Sequence, residues 1–265
     1  MAVQKIIRKK PKAKVDPLAK QKIIWTAGHG LTLACGAIYA VFYLFQCLTF
    51  YRYRSWKTLF LIARPPINKP RTWLKWLWRL FPQISYRLSV IGVFLSYGVT
   101  SYQNWNALNP SWYDLLSKEN FQSILIACLW LFSRATIFKL IPFMLTSYLH
   151  LTVKENESEE KESSAQNTQL LHVIAYSELI VAGILFLDTI SFKGASGFVL
   201  ALYLAIYWLR LNFSPYAQVT LLRLVVKLDK KVPPKFESQW KQVKEFLYLR
   251  MDESKKKRAE IAKPY

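Results

Sequence analysis

Apolar residues in this chain come in long runs, not at the spacing of amphipathic soluble helices or half-buried strands. The first run, Trp25 to Phe50 (WTAGHGLTLACGAIYAVFYLFQCLTF), is 26 residues without Asp, Glu, Lys or Arg. A bilayer's hydrocarbon core takes about 20 helical residues, so this run spans with tilt to spare. Gly28, Gly30 and Gly36 lend it a smooth face on which another helix can pack closely. Leu170 to Phe213 is the centre of the pattern and reads as a helical hairpin. Leu170–Leu187 carries one acid, Glu178, and no base, and Gly197–Leu209 carries no charge. Between them the sequence DTISFKGAS supplies the turn, with Gly194 and Gly197 able to take positive φ. Two less regular runs lie between. Leu88–Gln103 is rich in Gly, Ser and Tyr, and 121–151 is interrupted by Arg134, Lys139 and Pro142, giving one kinked helix or two short ones. Apolar helices are therefore expected at about 25–50, 88–103, 121–151, 170–187 and 197–211. The fold class is all-α, a multi-spanning integral membrane protein with helical hairpins and amphipathic interfacial helices.

Two other segments show helical amphipathicity. In RTWLKWLWRLF, Trp73, Trp76, Leu77 and Leu80 recur at i, i+3, i+4 and i+7, while Arg71, Lys75 and Arg79 follow another face. Near the C-terminus Phe236, Trp240, Val243 and Leu247 make a stripe over Lys235–Met251, with Lys241, Lys244 and Arg250 off it. Aromatic and aliphatic residues opposite Lys and Arg suit a helix lying in the membrane interface. The expected insertion residues are Trp73, Trp76, Trp240 and Phe246, the last beside the stripe. Lys75, Arg79, Lys241 and Lys244 are expected to meet lipid headgroups.

Charge sharpens this picture. The net charge is +21, from 37 Lys+Arg against 16 Asp+Glu, and together with spanning-length runs it favours anionic lipid over nucleic acid as partner. Residues 1–24 form a basic arm, disordered in water. The membrane domain is 25–213, with a basic segment at 51–87 and an acidic, solvated loop at 154–169. A basic amphipathic region follows at 214–265. Basic segments before and after the first run are awkward for a single crossing, since Lys and Arg favour the cytoplasmic side. Either the run enters and leaves on one side, or one segment violates the rule. Cys35, Cys47 and Cys128 all sit in apolar runs without CxxC spacing and read as small buried hydrophobes.

Catalytic patterns are lacking. There is no GxSxG, phosphate-binding Lys loop, HExxH or CxxC, and His29, His150 and His172 lie far apart in sequence. No catalytic residue, metal site or cofactor is expected, and His29 reads as a packed or wet histidine. Glu178 is the one intramembrane polar residue of note. A charged carboxylate at mid-bilayer costs about 3 kcal/mol on insertion scales, so it should be protonated or paired. Arg134 and Lys139 are its charge candidates. Its bland role is to fix the bundle, and its functional role is to bind a partner helix or a lipid amine.

KLIPFMLTSYLHL, LLHVIAYSELIVAGILF and YLAIYWLRLNFSPYAQVTLLRLVVKLDKKV, in that order, resemble the eukaryotic transmembrane-protein-33 family. That family includes yeast pore-membrane proteins of 33 kilodaltons and a fission-yeast tetra-spanning protein. The resemblance runs from about Phe81 to Pro234 and includes Glu178 and the Arg210–Tyr216 turn. It implies a non-enzymatic protein of the endoplasmic reticulum membrane and nuclear envelope that shapes curved membrane and helps distribute or assemble nuclear pore complexes. Reticulon-type proteins and nucleoporins are the partners it implies. The basic C-terminal helix also admits another class of role, a membrane-anchored adaptor recruiting a soluble acidic partner such as an import receptor. Asn156-Glu157-Ser158 is a glycosylation sequon. We expect no glycan there, and the electrophoretic mobility of the protein from eukaryotic cells should not change on endoglycosidase treatment.

Overall fold

The computed structural model describes residues 17–53, 73–108, 112–152, 160–191, 196–229 and 231–261. The basic arm up to Asp16, the stretch 54–72 and the sequon at Asn156 lie outside them. The described residues form α1 (Pro17–Tyr53), α2 (Trp73–Leu108), α3 (Trp112–Ser117), α4 (Glu119–Phe132), α5 (Ile137–Thr152), α6 (Glu160–Ile190), α7 (Ser196–Phe213), α8 (Pro215–Asp229), a 3₁₀ turn (Pro234–Phe236) and α9 (Glu237–Ile261). No strand occurs among them, and the all-α membrane architecture stands.

Polarity is distributed inside out, as a lipid solvent demands. Ile38, Val41, Leu44, Phe45 and Leu48 of α1 are exposed, whereas His29 and Thr32 are fully buried. In α2, Ile84, Leu88, Ile91 and Leu95 face out, and Ser85, Ser89 and Ser96 face in. Water gives no reason to bury serines while exposing leucines, but lipid does. There, small and hydroxyl side chains hold helices together by close approach and hydrogen bonds. Ser89 Oγ donates to the Thr32 carbonyl at 2.9 Å, and Thr32 Oγ1 donates to the Gly28 and Ser89 carbonyls at 3.0 and 3.2 Å.

Neighbouring helices alternate in direction. Gln103 meets Gln21 at one end of the α1–α2 pair. Along α1 and α5, His29 faces Ser147, Gly36 faces Met144 and Tyr43 faces Phe138. Along α4 and α7, Ser123 faces Arg210 and Trp130 faces Tyr203. The start of α1, the α3 connection, the starts of α4 and α6 and the end of α7 therefore share one face. Helix α4 packs on α2 and α7, and α5 packs on α1 and α6, so the two diverge as a V from Ser133–Thr136. The core joins Tyr86, Val90, Trp130, Leu140, Leu185 and Tyr203.

Several expectations change. By length and composition, Ala19–Phe45 and Asn167–Ile190 can cross a membrane, and Gly197–Phe213 with Pro215–Asp229 qualifies only as a pair bent by 106°. Residues 88–103 belong to a longer helix in which Pro82 does not end the amphipathic piece, so the interfacial segment and the spanning candidate are continuous. Proline removes one N–H, and the buried Ser85 and Tyr86 hold the next turn in place. Region 121–151 is two helices, broken at Ser133 (extended, φ −87°, ψ 172°) and not at Pro142. The acidic loop is helical from Glu160, and the 104–120 segment is mostly helical too. Helix α1 is unbroken, so basic segments do lie at its two ends and it is no wedge. Cys47 and Cys128 are exposed, facing outward with the leucines, and Cys35 is half-buried.

The α1–α2 crossing depends on glycine. A Cβ on Gly92 would stand 2.7 Å from the Gly28 carbonyl and the Thr32 nitrogen, and one on Gly28 would stand 2.6 Å from the Ser96 nitrogen. Backbone atoms cannot yield as side chains do. Gly92→Ala should cost about 1–3 kcal/mol and lower the temperature at which the detergent-solubilised protein loses its monodisperse elution peak. Gly98→Ala, with nothing within 4 Å of the added carbon, should leave that temperature unchanged.

Candidate functional site

Three helices converge on one guanidinium. Arg210, near the end of α7, is paired through Nη1 with Glu178 Oε1 of α6. Its Nη2 donates to Ser123 Oγ at 2.7 Å and to the Glu119 carbonyl at 3.3 Å, and its Nε approaches Gln122 Oε1 at 3.5 Å. Gln122 Nε2 in turn donates to the Leu116 carbonyl at 2.8 Å. Ser123 Oγ donates to the Glu119 carbonyl at 2.8 Å, and Tyr203 OH donates to the Glu178 carbonyl at 2.9 Å. Glu178 and Arg210 are only 5% and 8% exposed. A lone charge at that depth would not be tolerated, and pairing with extra hydrogen bonds makes it admissible.

This arrangement corrects the expected partner of Glu178. Lys139 is occupied elsewhere: its ammonium donates to Ser133 Oγ at 2.9 Å and to the Arg134 carbonyl at 2.8 Å, and lies 4.9 Å from the Trp130 ring centre. Those contacts close the apex of the V. Sequence separation hid the true pair, because Arg210 marks the end of an apolar run and reads there as an interfacial stop. The i, i+3 and i+4 positions Glu119, Gln122 and Ser123 carried no signal of their own.

Beside the pair lies a cavity of about 190 Å³, bordered by Tyr97, Glu119, Thr146, His150, Glu178 and Tyr216 among others. His150 is also part of a ring cluster. His29 Nδ1 lies 3.0 Å from Ser147 Oγ, and its ring is 4.9 Å from His150, 4.6 Å from Trp25 and 5.6 Å from Tyr97. His29 is thus packed, and two histidines 121 positions apart in the chain become neighbours. Among the described residues, no three His, Cys, Asp or Glu side chains are placed to hold a metal ion.

The expected surface residues are not brought to this cavity. Trp73 is 69% exposed at the start of α2. The side chains of Lys75, Trp76 and Arg79 lie outside the described residues. On α9, Lys241 is exposed. Trp240 Nε1 donates to Asp229 Oδ1 at 2.8 Å, and Lys244 Nζ donates to the same oxygen at 2.6 Å. These two hydrogen bonds, Lys244's the stronger, hold the Asp229 carboxyl below its ordinary range. Phe246 stacks on Trp208, with ring centres 5.9 Å apart, yet keeps much of its surface exposed. Trp240 is therefore engaged with the end of α8, and Phe246 with α7 of the membrane domain.

The chain is 49% identical to the uncharacterized membrane protein YGR026W of Saccharomyces cerevisiae, over 275 aligned positions covering 98% of each chain. No protein-family model and no solved structure matches it.

Removing one partner of the buried pair should cost more than removing both. Glu178→Leu strands the guanidinium and should destabilise the protein by about 3–5 kcal/mol. Glu178→Gln, which keeps an oxygen acceptor, should lose less and retain the fold. Glu178→Leu with Arg210→Met should recover much of the loss. A double-mutant cycle on unfolding in detergent checks this, and additive effects would contradict it.

Proposed function

The chain belongs to the family of that yeast membrane protein, and from this premise we propose that it is a non-enzymatic organiser of curved membrane in the endoplasmic reticulum and nuclear envelope. The finer assignment, to proteins of the transmembrane-protein-33 type that help distribute or assemble nuclear pore complexes, rests on the resemblance carried by 139–151, 170–186 and 203–232.

One observation carries the reading: the elements that do not cross all load the same face. The V of α4 and α5 has legs of 14 and 16 residues, about 21 and 24 Å against a core of about 30 Å. Tyr43 lies opposite Phe138 near the apex, so the V reaches about the level where the apolar stretch Ala19–Phe45 of α1 ends, and α1 runs on for ten residues, about 15 Å, to Tyr53. The V opens toward the face where α1 begins and α7 ends. Helix α8 leaves α7 at 106° on that same face and leads into α9. Added cross-section in one leaflet favours a bilayer that bulges toward it. Thirteen Lys and Arg after Phe213 and eight before Trp25, against six in 51–72, favour the cytoplasm for that face.

A second reading has its own support. With Trp240 and Lys244 hydrogen-bonded to Asp229 and Phe246 on Trp208, α9 is partly docked and turns Lys241 and Arg250 outward. That geometry suits an adaptor whose basic helix recruits an acidic soluble protein.

Cells lacking the protein, imaged for pore spacing and tubule shape beside the tagged protein, test the proposal. Clustered or fewer pores, with label on the reticulum and nuclear rim, are expected. Normal pores with altered tubules would narrow the function to reticulum shaping. Unaltered membranes, or label elsewhere, would overturn it.

A further inference from the structure

We infer that the cavity between α4, α5, α6 and α7 is a binding site for a small primary ammonium group, of the kind carried by an ethanolamine headgroup. This goes beyond the membrane-shaping role and stands or falls separately from it.

Size limits the ligand first. The cavity has a volume of about 190 Å³. It therefore suits a headgroup of a few heavy atoms rather than a cofactor, whose pockets start near 300 Å³.

Charge then selects its sign. In a chain of net charge +21, this cavity is bordered by two carboxylates, Glu119 and Glu178, and a single cation, Arg210. No lysine among the described residues borders it. The guanidinium is already committed, through Nη1 to Glu178, Nη2 to Ser123 and the Glu119 carbonyl, and Nε toward Gln122. It has little left for an anion. Glu178 has capacity to spare, since Arg210 engages Oε1 and no described residue donates to Oε2. On a residue only 5% exposed and bordering the cavity, that oxygen is left able to accept from a ligand.

Donor count separates primary from quaternary ammonium. Three N–H groups need three acceptors. Glu178, Glu119 and Thr146 border the cavity and carry acceptor oxygens, and the Thr146 hydroxyl spends its own proton on the Pro142 carbonyl at 2.8 Å. The aromatic residues Tyr97, Phe143 and Tyr216 also border it, and aromatic rings attract cations. A trimethylated nitrogen could use the rings but none of the three acceptors. Glu119 is exposed, which opens the site at the start of α4, and Leu149, Leu171 and Ile174 give an apolar flank for a lipid's glycerol end.

The test uses the full-length protein in detergent with dihexanoyl-phosphatidylethanolamine, -phosphatidylcholine and -phosphatidylglycerol, and with free ethanolamine. Binding is read by the shift in unfolding temperature and by native mass spectrometry. The ethanolamine lipid should bind about tenfold more tightly than the other two, the worth of one charge-assisted hydrogen bond. Glu119→Gln lies outside the Glu178–Arg210 ion pair, so it should preserve the unliganded unfolding temperature while weakening the ethanolamine lipid severalfold. If free ethanolamine binds as tightly, the site takes a soluble amine. If only the lipid binds, it takes a headgroup. Both results support the ammonium site. Equal binding of the three lipids, preference for the glycerol lipid, or no effect of Glu119→Gln would overturn it.

Discussion

The buried pair of Arg210 and Glu178 is the constraint on which the remaining packing depends. An apolar hairpin of α6 and α7 could slide or rotate in lipid at little cost, because one leucine is as good as another against acyl chains. A guanidinium cannot. It must keep its counter-ion and the oxygens of Gln122, Ser123 and Glu119, and these sit on α6 and on the first turns of α4. One side chain therefore sets the rotation of α7, the depth of α6 and the starting point of α4. The same residue's carbonyl accepts from the Ser214 N–H at 2.7 Å, at the corner where α8 turns away. The direction of the C-terminal region thus begins at this pair as well.

The other half of the bundle is built on contact distance. Helices α1 and α2 approach until glycine on one meets backbone on the other, and Ser89 and Thr32 exchange hydrogen bonds with each other's carbonyls. Tyr39, Tyr86, Trp130 and Tyr203 then carry the packing across to α4 and α7, with Tyr86 against Tyr39, and Trp130 stacked on Tyr203 at 5.3 Å. The V of α4 and α5 is wedged between these two units. Its legs can be short because each is held by a different neighbour and because Lys139 is satisfied locally at the apex. In the proposed reading, a shallow element anchored in this way makes the two faces of the protein unequal in width. That inequality links the packing to the proposed effect on membrane shape.

The polar residues gather at one level near the terminus-bearing side. His29, His150, Tyr97, Glu178 and Arg210 are spread over five helices, yet they border a single cavity or the ring cluster next to it. Lipid explains the gathering. Polar groups within a membrane domain gain by sharing partners and water, so a few strong networks are favoured over scattered singles.

The sequence by itself determined the class of the molecule. Uncharged runs such as Trp25–Phe50, the hairpin around 188–196 and the basic flanks follow from local hydropathy, and each can be read without knowing any contact. Glu178 stood out for the same reason, as a carboxylate in an apolar run. Its partner did not stand out. Arg210 is 32 positions away and becomes a partner only when α7 folds back along α6, so the pairing is a property of register. Likewise, Pro82 and Pro142 looked like breaks and are not, whereas Ser133 looked ordinary and ends a helix. Neighbouring helices outweigh local propensity at those points. Tertiary structure alone decided which serines and glycines face inward, because lipid exerts no strong pull on either face of an apolar helix. Only close packing and hydrogen bonding between helices tell the faces apart.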